Sequence, residues 1–391
     1  MRLKDIATVK GGKRLPKTDK LVSYKTDHPY IRIRDMYQSY PLEINSDFEY
    51  ITDATHEKIK RYIVNQGDVI IAVVGNTIGL VSLIGSSLDG ANLTENCNKL
   101  VEIHDCDNRF LYYFLTSKEG QDEIKKGIVG SSQPKLPIYN IEKIEIPAVP
   151  YEQQIKIVEI LETIDKKISN NETINRNLSE QTKALFEEEL LKFDSVPDGW
   201  KEGSLIDIAD YLNGLAMQKF RPSGDENELP VLKIKELRQG YCDANSELCS
   251  PNVKQEYIIH DGDVIFSWSG SLLVDFWCGG ECGLNQHLFK VTSKKYDKWF
   301  YYAWTLYHLD RFIAVAADKA TTMGHIKREE LSKAEILIPD SDSYKRIGEV
   351  LGPLYDMIIS NRVENRKLAA LRDELLPKLM SGEIDVSEVE L

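Results

Sequence analysis

Two pairs of cations at alternate positions carry the first chemistry in this sequence. In Ile31-Arg32-Ile33-Arg34 and Leu232-Lys233-Ile234-Lys235 the basic residues recur with period two. On a strand, Arg32 and Arg34 therefore share one face, as do Lys233 and Lys235. Such a face suits phosphate and base-edge contacts on a duplex, and a solvated strand face is the plain alternative. Further cations gather in two loops, Lys10, Lys13, Arg14, Lys17 and Lys20 in one and Lys219 with Arg221 in the other. Lys135 closes Ser131-Ser132-Gln133-Pro134-Lys135, whose counterpart is Thr321-Thr322-Met323. Loops of small polar residues fit grooves, though they also make ordinary turns.

No residue set supports catalysis. The sequence has no G-x-x-x-x-G-K-[ST], no H-E-x-x-H and no G-x-S-x-G. Gly11-Gly12-Lys13 lacks the spacing to cradle phosphates, and Gly75-x3-Gly79 reads as a turn between strands. Asp68 and Asp263 sit at equivalent strand entries in two copies, as turn residues rather than a carboxylate pair, and His260 and His287 have no motif partners. Cys278-x3-Cys282 with His287 nearby can be read as metal ligands, and adding Cys242 and Cys249 to the cysteine pair completes a four-ligand set on paper. The spacing is not that of a zinc knuckle and the Cys278 segment reads as strand, so no metal is expected. Six irregularly spaced cysteines make no disulfide framework. Met1-Arg2-Leu3-Lys4-Asp5 leads into no apolar signal segment, and runs such as residues 69–74 fall far short of the ~20 residues of a membrane span. A reducing cytoplasm and no membrane contact are expected.

The elements that must position the cations come from a diverged tandem duplication. Leu3-Lys4-Asp5-Ile6-Ala7 recurs as Leu205-Ile206-Asp207-Ile208-Ala209, with Gly12 matching Gly214. Pro29-Tyr30-Ile31-Arg32-Ile33-Arg34-Asp35-Met36 recurs as Pro230-Val231-Leu232-Lys233-Ile234-Lys235-Glu236-Leu237. Gly67-Asp68-Val69-Ile70 recurs as Gly262-Asp263-Val264-Ile265, and Phe110 and Tyr112 match Phe300 and Tyr302. The offset drifts from 202 to 190, as loop insertions would make it. In each copy β-branched runs broken by Gly, Asp, Asn and Pro predict strands, followed by helical stretches near residues 108–126 and 299–316. The fold class is α+β, with mixed α/β domains at residues 1–150 and 196–341.

Residues 151–195 and 342–391 read differently. One seam runs Ile157, Leu161, Ile164, Ile168, Asn171, Asn175, Leu178, Thr182, Leu185. Adding 190 gives Ile347, Leu351, Leu354, Ile358, Asn361, Asn365, Leu368, Arg372, Leu375. Steps of three and four predict coiled-coil helices, and ~40 residues at ~1.5 Å each make a helix on the order of 60 Å. Gly352-Pro353 predicts a bend or a fresh start in the second. The short link at residues 194–200 predicts antiparallel helices, with Asn171 facing Asn365 and Asn175 facing Asn361, and hence a pseudo-two-fold dumbbell.

The net charge of −13 argues against a generic polyanion binder. Residues 1–150 nevertheless balance 20 basic against 20 acidic side chains, and residues 1–25 hold 8 against 2. The composition, 42% hydrophobic and 28% charged, leaves apolar material for more than one core.

In this order the motifs resemble the specificity subunit of type I restriction–modification systems, over essentially the whole chain. The carriers are the repeat, Leu3-x-Asp5-Ile6-Ala7, Tyr30-Ile31-Arg32-Ile33-Arg34-Asp35, Gly67-Asp68-Val69-Ile70 and Gly75-Asn76-Thr77-Ile78-Gly79. Ile146-Pro147-x2-Pro150-x2-Gln153-Gln154-x2-Ile157 is the most diagnostic, with Pro197-Asp198-Gly199-Trp200 and Leu284-Asn285-Gln286-His287 in support. Ser343-Tyr344-Lys345-Arg346 departs from the usual Gln-rich entry to the second helix. The resemblance implies two target recognition domains, each reading one half of a split double-stranded DNA sequence, with the helices as a ruler. It implies a non-catalytic chain that docks two methyltransferase subunits and, in the full complex, two restriction/translocase subunits. S-adenosylmethionine, ATP and magnesium would belong to those partners, which would flip the target adenine out of the duplex. A coiled-coil scaffold that has lost DNA reading and a self-contained modification enzyme are the alternatives.

Overall fold

Short apolar runs closed by glycine become a four-stranded antiparallel sheet in each of two units. The computed structural model describes residues 1–37, 40–224, 227–318, 326–387 and 389, so Thr321-Thr322-Met323 lies outside the described residues. One unit comprises Met1–Ser169 with Leu368–Leu391, the other Asn170–Lys367.

In the first unit the strands lie in the order Thr8–Gly11, Cys97–Val101, Val69–Ala72, Val81–Leu83. In the second the order is Asp210–Asn213, Leu288–Thr292, Val264–Ser267, Leu273–Phe276, the same topology. The central strands are largely apolar because both faces are covered. Val69, Ile71 and Leu100 pack toward the helix Asn108–Thr116, while Ile70, Ala72 and Cys97 pack on Ile31, Leu88 and Leu93. Val264, Phe266 and Val291 repeat the first face against Lys298–Tyr307, and Ile265 and Leu288 repeat the second. Each sheet also carries a lysine, Lys99 or Lys290, whose Nζ donates to the carbonyl of Ile63 or Ile258.

Beside each sheet lies a short parallel pairing, Tyr30–Ile31 with Asn92–Leu93 and Leu229–Leu232 with Cys282–Leu284. Here the structure corrects the sequence reading. The strand ends at Ile31 and turns into a 3-10 helix, Ile33–Tyr37, so Arg32 and Arg34 do not share a strand face. Lys233 and Lys235 are likewise divided, one just before and one within the helix Ile234–Gln239. A carboxylate three residues ahead turns the chain: Asp35 accepts the Arg32 N–H at 2.8 Å, and Glu236 accepts that of Lys233 at 3.3 Å. Cys278 also lies off strand, beyond the end of Leu273–Phe276.

The helical stretches resolve into Asn108–Thr116 and Lys118–Lys126, and into Lys298–Tyr307 and Leu309–Asp318. Asp107 caps the first by accepting the N–H groups of Arg109 and Phe110, and Ser117 caps the next through Gly120. Two long helices follow, Tyr151–Leu190 and Ser341–Ser381. The second runs unbroken through Gly352-Pro353, so the expected fresh start is absent. Leu351 and Tyr355 bury on either side of the proline, and that packing outweighs one missing donor. Within the first unit Ile157 and Leu161 pack with Leu376, Leu379 and Met380, Ile164 is buried as well, and Arg372 donates to Asp165 at 2.7 Å. Within the second, Leu178, Phe186 and Leu190 pack with Ile347, Leu351, Tyr355 and Ile358, and Asn171 donates to Asn365 at 2.8 Å. Arg346 meets Glu189 at 2.7 Å, so the paired numbers fall as they rise on the other helix and the segments are antiparallel. Ile168, Leu354 and Leu368 are only partly buried, and Tyr355 and Leu376 take the deeper positions. The helices also pack on the globular part, which asks for an apolar face wider than a two-helix seam.

Candidate nucleic-acid interface

At one edge of each sheet five backbone segments meet through the same hydrogen bonds. In the first unit Gly12 and Lys13 donate to the carbonyls of Cys97 and Leu93 at 3.0 and 2.8 Å, and Thr94 donates to Ile31 at 3.1 Å. Val73 then donates to Asn96, and Leu136 to Val73, both at 2.9 Å. In the second unit Gly214 and Leu215 donate to Leu288 and Leu284, each at 3.0 Å, and Asn285 donates to Leu232 at 3.2 Å. Trp268 donates to His287 at 3.4 Å, and Ile326 to Trp268 at 3.1 Å. The two glycines are the pins. A Cβ on Gly12 would collide with the Thr94 carbonyl, and one on Gly214 with that of Asn285, so only glycine lets the chains approach this closely.

The cations divide into two classes around these edges. Lys13, Arg14, Arg32 and Lys233 leave the converging segments directly, whereas Lys10 lies within the sheet opposite Lys99. Several are already neutralised. Lys10 pairs with Glu102 at 2.7 Å, Arg14 with Glu95, Arg34 with Glu49 at 2.8 Å, and Arg32 also with Glu49. Lys233 pairs with Glu247, and Lys235 with Asp243 at 2.9 Å. Lys13 instead lies 5.6 Å from the ring centroid of Tyr62. Lys13, Lys17, Lys135, Lys219 and Arg221 are exposed and carry no carboxylate partner among the described residues. Lys135 is fixed by its backbone, which exchanges two 2.9 Å hydrogen bonds with Val129. Burial raises the carboxyl of Asp35, beside Arg32 and Arg34, to about 6.

The sequence reading gave no DNA-contact role to the side chains that differ between the copies. Val73, Glu95, Asn96 and Gly11 of the first edge become Trp268, Gln286, His287 and Asn213 in the second. Trp268 Nε1 donates to Asn213 Oδ1 at 3.0 Å, and Ser269 Oγ lies 3.0 Å from His287 Nδ1. Gln286 Oε1 is buried with no hydrogen-bond partner among the described residues, an amide oxygen still open to a donor. The available signal was positional, since Leu284-Asn285-Gln286-His287 follows the second copy's parallel strand just as Leu93-Thr94-Glu95-Asn96 follows the first. Polar groups of unlike type on one backbone frame can contact phosphates identically and base edges differently.

All six cysteines are thiols outside any disulfide, five of them buried. Burial pushes Cys97 and Cys106 up to about 12 and Cys278 to about 11, which makes them poor nucleophiles and ligands. Among the described residues no three His, Cys, Asp or Glu side chains gather as metal ligands, and no helix is long and apolar enough to cross a membrane.

A family model described as the type I restriction modification DNA specificity domain matches residues 1–180 and again residues 197–370. The type I restriction enzyme MjaIX specificity subunit of Methanocaldococcus jannaschii is 24% identical over 418 residues, spanning 99% of this chain and 94% of that protein. The MjaVIII specificity subunit of the same organism is 22% identical over 379 residues, with 87% and 86% covered. A crystal structure of the type-I restriction-modification system S subunit from M. genitalium shares the fold at a TM-score of 0.57 and 16% identity, over 97% of this chain and 95% of that one.

Proposed function

Because the chain belongs to the family of type I restriction modification DNA specificity domains, we propose that it is the sequence-reading subunit of a type I restriction–modification complex. Each unit reads one half of a bipartite double-stranded target. The long helices hold two methyltransferase subunits, and two restriction/translocase subunits join in the full complex. The chain itself performs no chemistry in this reading, which assigns S-adenosylmethionine, ATP and magnesium to the partners. The domain limits it works with are residues 1–150 and 196–341 for reading, and 151–195 and 342–391 for spacing and assembly.

The observation that carries this reading is the repeated five-segment edge with unlike side chains. A common frame with Val73, Glu95 and Asn96 in one copy and Trp268, Gln286 and His287 in the other supports two half-sites of different sequence. The test is methylation-sensitive sequencing of the host genome with and without this gene. A bipartite motif with unlike halves, lost on deletion, is the expected result. The triple substitution W268V/Q286E/H287N should then alter one half of that motif only. An unchanged methylation map on deletion, or DNA methylation by this chain purified alone, would overturn the reading.

A further inference from the structure

The helices Asn108–Thr116 and Lys298–Tyr307 are equivalents, preceded by Asp107 and Asp297 and related by a step of 190 residues. That step sets Tyr113 against Ala303. In the first unit the Tyr113 ring is buried, its hydroxyl donates to Asp165 at 2.6 Å, and Arg372 donates to the same carboxylate at 2.7 Å. The same step replaces Asp165 by Tyr355, and Arg372 of the facing helix by Thr182. Where the first unit has a ring held by an ion pair, the second has a methyl group beside a phenol and a hydroxyl.

The step also sets Phe186 against Leu376, so larger rings fill part of the space, yet not all of it. A cavity of about 550 Å³ opens there, and Ala303, Thr182, Tyr355, Phe186, Phe276 and Ile358 are among its walls. Phe276 stacks on Tyr302 with centroids 3.9 Å apart, which fixes one wall. Leu306 and Tyr307 stand at the mouth, 40% and 50% exposed. This volume is that of small-ligand sites, which pair apolar walls that accept an aromatic ring with a few polar groups, here Lys183, Glu187, Asp310 and Arg362. One polar group completes the match: Thr182 Oγ1 gives its proton to the Ser179 carbonyl at 3.0 Å, faces the Tyr355 hydroxyl, and has a second lone pair for a donor.

We propose that this cavity binds one free monocyclic aromatic molecule of the phenol class, its ring lying where the ring of Tyr113 lies in the first unit. The hydroxyl donates to Thr182, and the ring packs against Phe276, Tyr355 and Phe186. The inference is independent of DNA reading, since its argument rests on the core of one unit and on its repeat.

The probe is p-cresol, the side chain that Ala303 lacks, titrated into the full-length chain and followed by saturation-transfer NMR and by thermal melting. Saturable binding with a rise in melting temperature is expected. Ala303→Tyr supplies the ring covalently, so it should raise the melting temperature by itself and weaken p-cresol binding by about tenfold or more. Leu306→Trp at the exposed mouth should also weaken binding, with an unchanged circular-dichroism spectrum, which guards against a misfolded Ala303→Tyr chain. Absence of saturable binding to the wild-type chain, or equal binding to both variants, overturns the proposal. Displacement of p-cresol by the methyltransferase subunit would give the site to a partner side chain and would equally overturn it.

Discussion

Asn361 Nδ2 donates to Asn175 Oδ1 at 2.9 Å inside the second unit, where Asn175 is 9% exposed. One turn along, Asn171 repeats the pairing with Asn365, and Asn175 also donates to the Ile358 carbonyl at 3.3 Å. Steps of four in opposite directions satisfy both pairs in one antiparallel register only. A slip by one turn would set an amide against an aliphatic side chain and leave buried polar groups unpaired. The amides therefore act as a register key, which costs some stability relative to an apolar seam.

Asn175→Leu alone should lower stability by about 1–3 kcal/mol, because it strands the Asn361 amide. The double variant Asn175→Leu/Asn361→Leu should recover most of that loss. A double-mutant cycle on urea midpoints measures the difference, and additive effects would show that the pair is not coupled.

Glu49 holds Arg32 and Arg34 together, so it competes with phosphate for both. Glu49→Gln should raise DNA affinity and steepen the dependence of log K on log salt. Lys135→Ala, which removes an exposed cation, should flatten that slope by about one. Fluorescence anisotropy of the methyltransferase-bound chain across a salt series reads both. An unchanged slope in both variants would remove these side chains from the interface.

The repeat, the strands and the long helices were legible because hydrophobic periodicity and copied motifs record burial directly. The strand at residues 31–34 was misread for a specific reason. Its alternation is real, but the carboxylate of Asp35 reaches back to the Arg32 N–H, and a capping hydrogen bond overrides a two-residue apolar pattern. Gly352-Pro353 misled in the opposite direction, since local propensity yielded to the packing of Leu351 and Tyr355. The cations at the candidate site were visible by type, whereas their carboxylate partners were not. Glu49 lies 15 residues from Arg34 and Glu95 lies 81 from Arg14, and only the fold brings them together.

Gly12 and Gly214 supply a prediction that separates folding of the edge from assembly. Gly12→Ala forces the Thr94 carbonyl aside and should cost at least about 1–3 kcal/mol of first-unit stability. Binding to duplexes carrying the first half-site should fall, while association with the methyltransferase subunit through the long helices should persist. Co-purification combined with DNA binding reads the two separately. Gly90→Ala, at a glycine with no neighbour near its Cβ position but a positive φ of 80°, is the comparison for backbone strain alone.

Asp35 ties stability to pH. It is 1% exposed, and burial raises its carboxyl from 3.8 to about 6 against the pull of Arg34. The folded chain thus keeps a proton on Asp35 to about pH 6, whereas the unfolded chain loses it near pH 4. Between these values the native state binds more protons, so stability falls as pH rises through the window, and the loss is complete above it. Asp35→Asn removes the titration and retains an oxygen to accept the Arg32 N–H. The variant should match the wild type near pH 4 and exceed it by about 1–3 kcal/mol at pH 7. Urea midpoints at the two pH values check this, and an equal gap at both would show that Asp35 does not titrate between them.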